Sequence, residues 1–322
     1  MQAFRTAAAV VDGLDPEQLD LKIRTGTLKD LKGVGPKTAA VVVQAHRGEV
    51  PDYLVKLEED LAELVPMADD VAEFRAALKG DLHLHSDWSD GGSPIREMAE
   101  AAIALGHEYM ALTDHSPRLT VANGLSPARL EQQLDVVAAL NEELSPFRIL
   151  TGIECDINVD GSLDQTEELL GRLDVVVASV HSDLRADSRA MTERMLTAVA
   201  NPHADVLGHC TGRLVIGRRQ RNGEQKPRPE STFDAEAVFA ACVESGTAVE
   251  TNSRPERLAP PRRLLTLANE LGCEFAIDTD AHAPGQLDWQ HNGIERAIEC
   301  GVQPDRVVNT RSAEDLLAWT RA

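Results

Sequence analysis

From Asp81 onward the chain alternates between short apolar runs and longer amphipathic stretches, and this alternation limits its possible folds more than any other feature. The runs DLHLH, YMALTD, FRILTGIE, VVVASVH, DVLGH, TAVETN and FAIDTD read as strands. Between them, PIREMAEAAIALG, PARLEQQLDVVAALNEEL, SRAMTERMLTAVA, DAEAVFAACVESG and PRRLLTLANELG carry apolar residues at helical spacing. Strand and helix in succession imply a parallel sheet with helices outside it. About seven such repeats over roughly 240 residues reach barrel scale, since the eight-unit form takes about 250. The region Arg213–Thr232 is the one long irregular insertion.

Reactive side chains collect at the ends of these runs, where a parallel barrel places its active site. In Asp81-Leu82-His83-Leu84-His85 the two histidines share one face of a strand, because side chains alternate with period two. Later runs end in Thr113-Asp114-His115, Gly152-Ile153-Glu154, Ser179-Val180-His181, Leu207-Gly208-His209 and Asp278-Thr279-Asp280-Ala281-His282. A single such histidine is as well explained by a hydrogen bond in the core. Six of the chain's 10 histidines in equivalent places are not, since buried imidazoles each need a partner and metal ions supply one economically. Histidine and carboxylate without cysteine suit Zn²⁺, Mn²⁺ or Fe²⁺. The set is too large for one tetrahedral ion, so more than one divalent metal ion is expected.

Composition narrows the class further. The 322 residues carry 32 Lys+Arg against 53 Asp+Glu, a formal charge of −21, so any binding of a polyanion must rest on local basic patches. Aromatic residues are 3%, too few for a base-stacking platform. No apolar run is long enough for a membrane helix, and the N-terminus makes a poor signal peptide. Five scattered cysteines without a CxxC pair suggest a reducing compartment, so a cytoplasmic location is expected.

Residues 1–79 read as a separate helical segment, with helical spacing in LEEDLAELV. Within it LKDLKGVGPKTAA resembles a helix-hairpin-helix motif, whose glycine turn brings backbone amides and a helix N-terminus to a phosphate. Lys32, Gly33, Gly35 and Lys37 are its candidate nucleic-acid contacts, and across 20–48 six basic residues face only Asp20 and Asp30. Phosphate contacts of this kind carry no sequence information. A purely structural hairpin is the alternative. A second basic patch comprises Arg213, Arg218, Arg219, Arg221, Lys226 and Arg228 and follows His209.

The ordered segments HLHSDWSDG, TDHS, GIE, SVHSD, GHCTGRL and DTDAH resemble the motifs of the PHP (polymerase and histidinol phosphatase) family. The detail is nearest to the PHP domain of bacterial family X DNA polymerases, and the match runs from about Asp81 to the chain end. The resemblance implies a distorted seven-stranded β/α barrel, TIM-like, over 80–322, holding three divalent metal ions of uncertain identity (Zn, Mn or Fe). Its ligand sets would be His83, His85, Glu154 and Asp280 for the first ion; Glu154 as a bridge, His181 and His209 for the second; and Asp90, His115 and His282 for the third. Two ions bridged by one carboxylate suit phosphoester hydrolysis, in which a water held between them attacks phosphorus in line. Glu154 and Asp280 are thus catalytic candidates. Arg213 and Arg254 are candidate phosphate clamps, with rim salt bridges as the alternative.

Several neighbours read as structural. Asp114 and Asp278 precede ligands and point the opposite way, Asp87 suits a turn, and Cys155 and Cys210 suit core filling. His46, His107, His203 and His291 are read as surface or core histidines. No nucleotidyltransferase acid motif is present, so polymerase activity is not expected. In the polymerase setting the domain implies 3′-end processing of DNA, as 3′–5′ exonuclease or 3′-phosphatase. A small-molecule phosphomonoesterase of histidinol-phosphatase type is the other reading, and small phosphate esters its substrates.

Overall fold

The computed structural model describes residues 2–56, 68–217 and 225–321. The LEEDLAELV stretch and Arg218, Arg219 and Arg221 of the basic insertion lie outside the described residues. The chain divides into two compact units, Met1–Met67 and Ala68–Ala322.

The first unit contains helices α1 (Gln2–Asp12), α2 (Pro16–Thr25) and α3 (Pro36–His46). Asp15 caps α2 by accepting from the Gln18 N–H at 2.8 Å, and Pro16 sits in the first turn, where a missing N–H costs nothing. Ala7, Leu28, Val34 and Ala39 form its small core. Between α2 and α3 the chain turns through Gly33 at φ +97°, a left-handed conformation that a side chain would oppose.

The second unit is a barrel of parallel strands in chain order, β1 (Gly80–Leu84), β2 (Tyr109–Leu112), β3 (Arg148–Asp156), β4 (Val175–Ser179), β5 (Val206–Leu207), β6 (Ala248–Asn252) and β7 (Phe275–Asp278). The crossovers carry α5 (Ile95–Ala104), α6 (Pro127–Leu144), α7 (Glu167–Leu170), α8 (Ser188–Val199), α9 (Ala235–Ser245) and α10 (Arg262–Leu271). Helix α4 (Asp69–Ala77) precedes β1, and α11 (Gln290–Glu299) and α12 (Ala313–Thr320) follow β7. By their sequence residues 69–79 group with the N-terminal segment. Instead Val71, Phe74 and Leu78 are buried in the main core of the barrel unit. An amphipathic pattern does not say which core a helix covers.

Strand β4, Val175-Val176-Val177-Ala178-Ser179, is buried throughout, as expected of a parallel strand covered on both faces. Its alternate residues go to opposite sides: Val175 and Val177 join Tyr109, Ala111, Val206, Leu316 and Leu317 in one cluster, while Val176 and Ala178 pack with the outer helices. The first cluster draws on the early residues of the strands and on α12, leaving the carboxyl ends for polar groups.

The barrel closes between β7 and β1 by a different device. Among the described residues the ladder there is reduced to a bridge from Leu84 to Ala281. Buried carboxylates take over the backbone donors: the Leu82 N–H donates to Asp278 Oδ1 at 2.8 Å, and Asp81 accepts from the Thr279 hydroxyl and from the His83 N–H at 3.1 Å. The Asp280 N–H reaches the His83 carbonyl at 2.9 Å and the His85 N–H the Ala281 carbonyl at 2.8 Å. Asp278 is therefore spent on the seam, the structural role expected of it, but for a different reason. Alternation alone would put it on the face of Asp280, and the two part because the strand ends at Asp278 and Asp280 takes a left-handed backbone.

Candidate metal centre

Each candidate ligand stands at the carboxyl end of its strand. His83 and His85 come from β1 and the residue after it, Asp90 from the loop beyond, His115 and His181 from just after β2 and β4, Glu154 from β3, and His209 from just after β5. Asp280 and His282 follow β7, and Asp280 adopts φ +52°, a left-handed backbone that aspartate tolerates better than most residues. Gly208 lets β5 approach β4 closely: a Cβ there would meet Ser179 Oγ and lie 2.8 Å from Val177 Cγ1.

Glu154 is the hub. Its Oε1 lies 2.8 Å from His209 Nε2 and 3.2 Å from His181 Nε2. Its Oε2 lies 2.8 Å from His115 Nδ1, 3.3 Å from His83 Nε2 and 3.6 Å from His85 Nε2. Asp280 Oδ1 stands 3.6 Å from His85 Nε2, and Asp90 Oδ1 is 3.3 Å from His282 Nε2 and 3.4 Å from His115 Nε2. All nine expected ligand side chains thus meet at one mouth of the barrel. Their donor atoms form overlapping groups, His85–Asp90–His115–His282, His83–His85–Asp280 and His115–Glu154–His181, each within 4.8 Å. The grouping differs from the expected partition in three respects: His85 and His115 each belong to two groups, Glu154 joins only the group with His115 and His181, and His209, though 2.8 Å from Glu154 Oε1, falls in none.

The chemistry of the cluster asks for cations. Ring centroids are as close as 4.3 Å for His85 and His282 and 4.4 Å for His85 and His115, so protonating all the rings would stack positive charges out of water. Burial pushes the His85 imidazole well below its ordinary value, and His282 and His115 push it further. His83 Nε2, both ring nitrogens of His85, His181 Nε2 and His209 Nδ1 are buried without a hydrogen bond, a state with a cost unless another partner is supplied. Burial pushes the Glu154 carboxyl up, yet His181, His83 and His115 hold it well below the usual range. Asp280 behaves likewise, held down by Arg257 and Arg254 against its burial. Ionised carboxylates beside unpartnered imidazoles are the donor set a divalent ion requires.

Residues behind the ligands fix their orientation. Glu250 of β6 accepts from His83 Nδ1 at 2.6 Å and from the His209 N–H. Asp156 pairs with His181 Nδ1 at 2.8 Å. Asn252 of β6 donates to Asp280 Oδ2 at 3.3 Å. Asp114 accepts from the Ser86 N–H at 2.8 Å, from both the Ser86 and Ser89 hydroxyls, and from Gln133 at 2.7 Å, which braces the loop leading to Asp90. None of Glu250, Asp156 and Asn252 stood out in the sequence, although TAVETN contains two of them.

The arginines divide. Arg254 donates toward Asp280 Oδ1 at 3.2 Å and lies 3.1 Å from His282 Nδ1, on the wall of the cavity over the cluster. Arg213, expected as a phosphate clamp, is instead spent on the carbonyls of Arg257 and Leu258 and on Glu230, and it is not among the described residues lining that cavity. Its loop turns the guanidinium onto the backbone that follows β6. Arg257, 2.8 Å from Asp280 Oδ2, lines the cavity in its place. In the N-terminal unit Lys32, Gly33, Gly35 and Lys37 are all exposed, but the Gly35 N–H already donates to Thr38 Oγ1 at 2.9 Å.

An α/β barrel that gathers six imidazoles and three carboxylates at its carboxyl mouth is built to hold divalent ions. The PHP domain profile matches residues 81–254, and the chain belongs to the PHP domain family. It is 43% identical over 244 residues to the DNA polymerase/3′-5′ exonuclease PolX of Bacillus subtilis (strain 168), covering 76% of this chain and 41% of that protein. It is 27% identical over 241 residues to a protein named a probable phosphatase from Thermoanaerobacter sp. (strain X514), covering 71% of this chain and 89% of the relative. A histidinol phosphate phosphatase from Lactococcus lactis, solved with zinc, L-histidinol and phosphate, aligns with a TM-score of 0.48 and 20% identity over 70% of this chain and 94% of its own. The chain thus spans less than half the length of the polymerase relative. Among the described residues no helix is long and apolar enough to cross a membrane.

Proposed function

We propose that this chain hydrolyses phosphoester bonds at the 3′ ends of DNA, as a 3′–5′ exonuclease or a 3′-phosphatase, using three divalent ions. The broader class, a metal-dependent phosphoric ester hydrolase, follows from family membership and the buried ligand set. The observation that carries the site reading is Glu154, whose two oxygens divide five imidazoles between them.

In this reading His83, His85, Glu154 and Asp280 hold one ion, Glu154, His181 and His209 a second, and Asp90, His115 and His282 a third. Such ions, when bound, acidify water and neutralise charge on phosphoryl oxygens. The chain's own residues supply the rest. Glu250 and Asp156 hold their histidines with one ring nitrogen turned inward. Arg254 and Arg257, braced on Asp280, present guanidinium donors to the cavity where phosphate oxygens would lie. The exposed Lys32, Gly33, Gly35 and Lys37 are proposed contacts for a DNA backbone.

Support for DNA as substrate comes from the polymerase–exonuclease relative at 43% identity and from the basic turn. Hydrolysis of a small phosphate monoester is the second reading. It is favoured by the net charge of −21 and by the phosphatase-named relative that the chain covers at 89% of its length. Incubating purified protein and Mn²⁺ with 3′-hydroxyl DNA, 3′-phosphate DNA and histidinol phosphate side by side separates the two, with Asp280→Ala as control. Shortening or dephosphorylation of DNA that Asp280→Ala abolishes is expected. Turnover of histidinol phosphate alone would transfer the conclusion to the second reading.

A further inference from the structure

The cavity above the ligand cluster has a volume of about 580 Å³, within the range of sites that enclose a nucleotide-sized ligand. Its large aliphatic side chains all come from one set of loops. Loops after β6, β7 and β1 contribute charge and hydrogen bonds: Arg254 and Arg257, then Asp280 and His282, then Asp90. Loops after β2, β4 and β5 add His115, His181 and Gln225 but also the aliphatic side chains of the wall: Leu119 and Val121, then Leu184, then Leu214 and Ile216. Arg228, also on the wall, directs its Nε to the Gly212 carbonyl.

The aliphatic half is presented on fixed backbone. Val121 is 91% exposed, the most exposed of the large apolar side chains among the described residues. It rides a turn of 3₁₀ helix, Thr120–Ala122, pinned by the Asn123 amide on the Trp88 carbonyl at 3.1 Å and by Arg129 on the Asn123 carbonyl at 2.8 Å. Leu214 exchanges two backbone hydrogen bonds of 2.9 Å with Arg228, and the Val215 N–H reaches the Glu256 carbonyl at 2.7 Å. Ile216 follows at 42% exposure. Val121 and Ile216, exposed beside a polar centre with the half-buried Leu119 and Leu214 next to them, mark a surface that a ligand covers.

We infer that Leu119, Val121, Leu214 and Ile216 form a collar that grips the base of the nucleotide whose ester lies over the ligand cluster, so that the site takes nucleoside esters in preference to esters of small polar alcohols. The inference rests on the reading of the cluster as a phosphoester site. The polar half fixes the phosphate, and a base attached through its sugar then projects toward the opposite wall, where a flat, weakly hydrated face meets aliphatic groups without losing hydrogen bonds.

Calorimetric titration of the metal-loaded protein with two non-hydrolysable probes tests this: 3′-deoxy-3′-(phosphonomethyl)thymidine, in which CH2 replaces the bridging oxygen, and its base-free analogue. The base-bearing probe should bind about tenfold tighter, the gain expected from covering roughly 60 Å² of apolar surface. Val121→Asp and Ile216→Asp should each cut that ratio at least about threefold, while Val159→Asp, at an exposed valine outside the cavity, should leave it intact. Equal binding of the two probes, including no binding of either, overturns the collar, as does a ratio that neither wall substitution alters. A preserved ratio in a protein that processes no DNA overturns the DNA reading and leaves the collar standing.

Discussion

Glu250 lies behind the histidines rather than among them. Its carboxylate takes the Nδ1 proton of His83, so the Nε2 lone pair is left facing Glu154 and the ion site. A carboxylate behind a ligating imidazole fixes the tautomer and raises the ring's basicity, and its loss typically weakens metal binding by about 10–100-fold. Glu250→Gln should therefore release metal to a competing chromogenic chelator at correspondingly lower chelator concentration, with circular dichroism confirming a retained fold. Unchanged competition would show that the hydrogen bond orients nothing. His107 yields a second residue-scale expectation. Burial, reinforced by Arg75, lowers its pKa to about 4 from 6.5. The unfolded chain then binds the proton first on acidification, so stability is full above about pH 6.5 and falls as pH drops toward 4. At pH 5 the loss is about 2 kcal/mol, and denaturant titrations at pH 7 and 5 should show it shrinking in His107→Leu.

At the scale of the element, the seam between β7 and β1 is where the barrel depends on side chains. Asp278→Ala would leave the buried Leu82 N–H without its acceptor and strip Asn309 of a 2.9 Å partner. A cost of about 2–4 kcal/mol is expected, read as a lowered denaturation midpoint. Burial and the nearby Asp81 raise the Asp278 pKa, so Asp278→Asn, which keeps an acceptor oxygen, should lose much less. Equal losses in the two variants would remove the hydrogen bond as the cause. This element also shows what the sequence could disclose. Period-two alternation along FAIDTD would put Asp278 and Asp280 on one face. They part because the strand ends at Asp278 and the backbone turns left-handed at Asp280, which no spacing rule discloses, whereas six strand-end motifs in order were enough to point to nine side chains that meet. Glu250 escaped notice because a carboxylate inside an apolar strand has no spacing signature, and only the closed barrel shows which ring it faces. Arg213 and Arg257 were indistinguishable in sequence because loop direction, set by tertiary contacts, decides which guanidinium reaches the cavity. The helix α4 was assigned to the wrong unit because its apolar stripe matches either core equally well.

For the molecule as a whole, the six imidazoles and three carboxylates of the mouth make metal occupancy a contribution to stability as well as to activity. Ions that bind only the native arrangement stabilise it by about 4 kcal/mol at a thousandfold excess over the dissociation constant. Dialysis against a strong chelator should lower the melting temperature, and added Mn²⁺ or Zn²⁺ should restore it; a melting curve indifferent to both would mean that the cluster binds no ion. Within this circle of strands β6 stands apart. Each of the other strands carries a proposed ligand in itself or just beyond its end, whereas β6 offers Glu250 and Asn252 as braces and leads into Arg254 and Arg257. Substitutions along it leave the count of donor atoms intact, so β6 is the stretch of chain where preference for one metal over another, or for one substrate over another, can drift by small steps without the centre ever being dismantled.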